Sequence, residues 1–110
     1  PMQIRPDNHL PIEAGVVISN EPGLYRPGKH GIRIENLIAC VPDIENEFGR
    51  FLKFETLTLC PIDTKPIQIE MLLAEEKEWL NNYNKMVFDK LSPRLKKEEK
   101  EWLKEQTKKI

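Results

Sequence analysis

The chain has 110 residues, the length of a single domain, and its apolar content of 39% allows a modest core. Its charges nearly cancel, to a net −1, which offers nucleic acid or an anionic membrane surface little to attract it. No apolar run approaches the ~20 residues a bilayer-spanning helix needs. No basic-then-apolar leader opens the chain, and the start at Pro1-Met2 reads as a truncated or processed beginning.

In chain order, the first part is β-like. Runs built on Val16, Val17 and Ile18, on Ile32, Ile34, Leu37 and Ile38, and on Phe51, Phe54, Leu57 and Leu59 are separated by Pro and Gly clusters. After Lys65-Pro66 the pattern turns helical, with Leu80, Tyr83, Val87 and Leu91 at helical spacing. Pro93 ends or kinks that helix, and Ser92-Pro93 suits the N-cap and first position of another. On the second helix Leu95, Trp102 and Leu103 form a narrow apolar stripe, and the end from Lys104 to Ile110 is expected to fray. The Lys/Glu run from Lys96 to Lys104 reads as a solvated helix face. These elements predict an α+β chain that divides into residues 1–64 and 65–110.

Cys40 and Cys60 each lie in an apolar stretch and read as buried free thiols of a reduced compartment. With no nearby His they do not make a zinc site.

The segment VVISNEPGLYRPGKHGIRIENLIAC, from Val16 to Cys40, carries the chemistry. A hairpin centred on Gly28 would set Tyr25 against Gly31 and Glu21 against Glu35, and directly opposed residues project from one face. Two carboxylates so placed repel. A proton held on one of them, an arginine between them or a bridging divalent cation would each relieve the repulsion. Arg33, two residues from Glu35 on the same face, supplies the arginine. A slip of one residue would turn the glutamates apart.

Glu21-Pro22-Gly23-Leu24-Tyr25 followed by Gly31-Ile32-Arg33-Ile34-Glu35-Asn36 resembles the two C-terminal metal-ligand motifs of the pita-bread metallopeptidases. That family, M24, includes Xaa-Pro aminopeptidase, prolidase and methionine aminopeptidase. Phe54-Glu55-Thr56-Leu57-Thr58-Leu59, Pro61-Ile62 and Trp79-Leu80-Asn81-Asn82-Tyr83 are similar to the cytosolic type of Xaa-Pro aminopeptidase, or aminopeptidase P.

The resemblance implies the distal part of a pita-bread catalytic domain over residues 1–64. A helical C-terminal extension, a possible dimerisation element, follows over 65–110. It implies two divalent ions, usually manganese, held by two Asp, one His and two Glu. Only the glutamates map here, onto Glu21 and Glu35, with Glu21 also handling protons for the catalytic water and Glu35 bridging the metals. Tyr25 and Arg33 match positions that orient the site.

The implied substrate is an X-Pro peptide, the implied setting the cytoplasm and the implied assembly a homodimer through the C-terminal part. The remaining ligands lie upstream in the family. His9 and His30 fall outside its His motif, and Asp7 lacks a paired Asp. This chain alone is therefore expected to bind metal weakly and to be inactive. A dimerisation or interaction module, or a pseudoenzyme of the same fold, stands as the alternative.

Overall fold

The computed structural model describes residues 7–110, which divide into two compact units, one ending at Thr58 and the other spanning Leu59–Ile110. The regular elements described in the first unit are strands: β1 (Val17–Asn20), β2 (Gly23–Arg26), β3 (His30–Arg33), β4 (Asn36–Asn46) and β5 (Gly49–Thr56). β4 is the centre of an antiparallel sheet of order β1-β4-β5, and β2 and β3 form a separate two-stranded ribbon.

The two ladders share one register. Val17 pairs with Ala39 and Asn20 with Asn36 in the sheet, and Gly23 pairs with Arg33 and Arg26 with His30 in the ribbon. Together they make one long hairpin interrupted between Asn20 and Gly23. Pro22 accounts for the interruption, because it has no N–H to give a ladder, although its carbonyl still accepts the Ile34 N–H at 3.4 Å. At the tip the Lys29 N–H bonds the Arg26 carbonyl at 2.9 Å. Pro27 and Gly28 take the central positions, and Gly28 has the positive φ of 69° that a type II turn requires there.

Sequence patterning did not extend a strand past Cys40, yet β4 runs on to Asn46 with Pro42 inside it. The register shifts between Pro42 and Glu45, a bulge that accommodates the proline. The β4–β5 turn is closed by the Asn46 side chain, which accepts the Phe48 N–H at 2.9 Å. Cys40 is buried, but Val17, Leu24, Ile32, Ile44, Phe51 and Phe54 are all exposed to an extent unusual for strand apolar residues.

The second unit holds α1 (Ala74–Leu91) and α2 (Lys97–Gln106), joined through a 3₁₀ turn at Ser92–Arg94. Tyr83, Val87 and Leu103 form its buried core, with Ile62, Met86, Phe88, Leu91 and Leu95 packed around them. Leu80 is also buried, as helical spacing predicted. The Glu76 and Glu99 carboxylates accept the N–H groups of Leu73 and Lys96, each at 2.8 Å, which satisfies one free donor at the start of each helix.

Four sequence expectations are corrected here. Ser92 and Pro93 open the 3₁₀ turn rather than α2, whose N-cap is Lys96. Trp102 is 61% exposed while its neighbour Leu103 is buried. Successive helix residues point about 100° apart, so both could not enter a two-helix core. The chain end does not fray: the Asn81 amide accepts the Ile110 N–H at 2.9 Å and donates to the Ile110 carbonyl at 3.3 Å. Cys60 is exposed, although both cysteines are free.

The compact units part before the compositional change at Lys65, because the segment around Cys60 packs with the helices. The Tyr83 hydroxyl donates to the Cys60 carbonyl at 2.8 Å, and buried Asn84 accepts the Ile62 N–H at 3.2 Å. No helix among the described residues is long and apolar enough to cross a membrane.

Burial raises the Tyr83 phenol above its usual pKa. A raised phenol pKa means the folded state keeps the proton more tightly than the unfolded one. The stability this contributes is complete below the unfolded value of about 10 and is lost as pH rises through the higher folded value. Tyr83→Phe should cost about 1 kcal/mol at neutral pH through the lost hydrogen bond and should flatten the alkaline loss. Denaturant melts at neutral and alkaline pH, followed by helical circular dichroism, check both effects.

Candidate metal centre

Glu21 follows the last residue of β1 and Glu35 precedes the first of β4, so both sit in the gap between the two ladders. The pairs on either side, Asn20 with Asn36 and Gly23 with Arg33, place them across from each other. Alternation then puts Ser19, Glu21, Gly23 and Tyr25 of one arm on the same face as Gly31, Arg33 and Glu35 of the other.

Arg33 lies between the carboxylates. Its Nη1 is 3.0 Å from Glu21 Oε2 and its Nη2 is 3.3 Å from Glu35 Oε2. Ser19 donates from Oγ to the other oxygen of Glu21. The arginine thus relieves the repulsion foreseen for this pair. All three side chains are a little under half exposed. Ion pairs this open to solvent are worth about 0–1 kcal/mol, so the arginine holds the glutamates in place without locking them.

The donor chemistry fits part of a hard-cation site. Two glutamates offer four carboxylate oxygens from one rigid face, which suits Mn²⁺ or Mg²⁺. Completion requires more donors, because no group of three His, Cys, Asp or Glu is placed to hold a metal among the described residues. His30 is the first residue of β3, and alternation directs it to the face opposite Glu35. His9 and Asp7 lie before β1, outside the strands.

Of the residues singled out in sequence, Glu21, Glu35 and Arg33 are brought into contact. Tyr25 sits on the same face with its ring along the ribbon, close over Gly23 and Gly31. Ser19 was missed. Its signal was available, since it stands two residues before Glu21 in a strand of period two.

Residues 50–110 match the family described as the C-terminal region of peptidase M24, and residues 1–42 match metallopeptidase family M24. The chain is 45% identical over 92 residues to a probable Xaa-Pro aminopeptidase P of Coprinopsis cinerea, covering 80% of this chain and 15% of that protein. It is 44% identical over 98 residues to aminopeptidase P2 of Arabidopsis thaliana, covering 86% of this chain and 14% of that protein. Among solved structures, it superposes on a cytosolic X-prolyl aminopeptidase with a di-nuclear active site from Caenorhabditis elegans. The TM-score is 0.76 at 39% identity, over 89% of this chain and 17% of that one. The chain thus spans about one seventh of the length of these curated relatives.

Proposed function

The chain belongs to metallopeptidase family M24, and on that premise we propose that it is the C-terminal part of an Xaa-Pro aminopeptidase, contributing two of the metal ligands. Its α+β architecture, antiparallel strands followed by two helices, is that of the distal end of a pita-bread domain with a helical appendix. The observation that carries the reading is the hairpin register, which sets Glu21 and Glu35 face to face with Arg33 between them.

In the complete protein Glu21 and Glu35 would hold two divalent ions, manganese by family resemblance. Bound there, the ions supply Lewis-acid polarisation of a peptide carbonyl and a lowered pKa for the attacking water. Glu21 takes up and returns the proton of that water at its carboxylate. Ser19, donating to one oxygen of Glu21, and Arg33, donating to the other, hold the plane of that carboxylate. Glu35, which Arg33 holds in the metal-free chain, would offer its carboxylate to both ions. Tyr25 shares the face and helps to orient the site.

The substrate in this reading is a peptide with proline in second position, and the product is its free N-terminal residue. A cytoplasmic setting is supported by the C. elegans relative, which is a cytosolic enzyme. A homodimer through the C-terminal helices is supported by Trp79 and Trp102, both large, apolar and more than half exposed on α1 and α2. The same exposure favours the second reading, in which this chain serves chiefly as an interaction module.

The test is hydrolysis of an X-Pro peptide with added Mn²⁺, comparing this chain with a longer protein that carries the upstream residues. The longer protein should cleave, and the 110-residue chain should be inert. Cleavage by the chain alone would mean that the ligands are misassigned. An inert longer protein would favour the interaction module or a pseudoenzyme.

A further inference from the structure

Of the four ribbon residues on the site face, Gly23, Tyr25, Gly31 and Arg33, two are glycines. Glycine weakens a strand relative to alanine, so the bare positions require a cause. Backbone conformation does not supply it, since the positive-φ glycines among the described residues are Gly15, Gly28 and Gly49. Alanine could adopt the backbone at both positions.

The cause lies above the ribbon. A β-carbon on Gly23 would stand 2.6 Å from the Tyr25 hydroxyl oxygen and 2.8 Å from its Cζ. A β-carbon on Gly31, directly across from Tyr25, would stand 2.8 Å from the ring Cδ1. The ring therefore lies flat on both glycines, with its inner edge on Gly31 and its hydroxyl end over Gly23. Gly23 pairs across the ribbon with Arg33, the residue that holds both glutamates. Tyr25 as a whole remains 62% exposed.

We propose that Gly23 and Gly31 are positioning residues, a bare floor that seats the Tyr25 ring with its hydroxyl end over Gly23, on the face and toward the side of the ribbon where the Glu21–Arg33–Glu35 cluster lies. The functional half of this proposal rests on the ligand reading given above. A purely structural role is the competing explanation, because an aromatic ring laid across a strand glycine also stabilises a sheet by covering it. Tyr25→Phe separates the two: it keeps the cover and removes the hydroxyl.

The seat is read by NMR on the metal-free 110-residue chain. One Hα of Gly23 and one of Gly31 should be shifted upfield by the ring, and Tyr25→Leu should abolish both shifts. Gly23→Ala should also abolish the shift at Gly31, because it lifts the ring from the whole floor. The consequence is read as Mn²⁺ affinity of the longer protein by calorimetry. Gly23→Ala and Tyr25→Phe should each weaken binding about tenfold, the lower end for groups that orient metal ligands. Gly23→Ala should add no further loss in the Tyr25→Phe background.

Unshifted glycine protons, full affinity in Gly23→Ala, full affinity in Tyr25→Phe, or a second tenfold loss in the double variant would each overturn the proposal. Undiminished affinity in Glu21→Gln would sink the ligand reading separately, since the ring seat is measured without metal.

Discussion

Glu21→Gln or Glu35→Gln, placed in a longer protein that carries the upstream residues, should lower X-Pro hydrolysis by more than about 100-fold. The size follows from the place of the residue. Removing groups that only orient a ligand already costs about 10–100-fold in activity or metal affinity, so losing the charge of a ligand itself should cost more. The fold should be untouched. Glutamine keeps the shape and one acceptor oxygen, and the ion pair it weakens is exposed and worth about 0–1 kcal/mol. The measurement pairs steady-state kinetics with metal content and a thermal melt. Lost activity and lost metal with an unchanged melt is the expected result. Wild-type rates in either variant would remove that glutamate from the metal site.

Leu103→Ala should destabilise the helical unit by about 2–5 kcal/mol, the usual cost of leaving a cavity where a buried leucine stood. Leu103 is 2% exposed and packs with Tyr83 and Val87 in the only cluster of buried hydrophobic residues the described chain shows. A small unit with so few buried residues has little reserve, because whole domains are stable by only about 5–15 kcal/mol. Trp102→Ala, one residue away but facing outward, should change stability by less than about 0.5 kcal/mol, as surface substitutions usually do. Urea melts followed by helical circular dichroism compare the two. Equal effects would mean that the helix is rotated relative to its partner.

The hairpin was legible because two signals agree on it. Pro27-Gly28 marks the turn, and β-like runs stand on either side of it. Centring the hairpin on Gly28 set Glu21 against Glu35 as an assumption, and the observed pairs Asn20 with Asn36 and Gly23 with Arg33 agree with it. The extension of β4 past Cys40 was hidden by Pro42, whose accommodation depends on a bulge that no local pattern announces. Helix α1 was legible from its apolar spacing alone. The tie between Asn81 and Ile110 was not, because a side chain bonding a distant backbone leaves no periodicity behind.

The breadth of exposed apolar surface on the strands has a related origin. Strands that alternate poorly read as buried on both faces, and in the first unit those faces are open. Among the described residues no third His, Cys, Asp or Glu joins Glu21 and Glu35 to complete a metal site. Reading the pair as candidate metal ligands therefore depended on the ordered motifs around Glu21 and Glu35, since spacing alone favoured an ion pair with Arg33 over a bridging cation. The arginine is present, and its hold on both carboxylates is weak enough for a divalent ion to compete.

The central claim is that Glu21 and Glu35 are shared ligands of a two-metal site completed from upstream. Anomalous diffraction at the manganese edge, on crystals of the longer protein grown with Mn²⁺, tests it most directly. Two manganese peaks in contact with the Glu21 and Glu35 carboxylates, with Arg33 no longer spanning the same two oxygens, is the predicted result. Carboxylates still bridged by Arg33, with no manganese peak beside them, would contradict it.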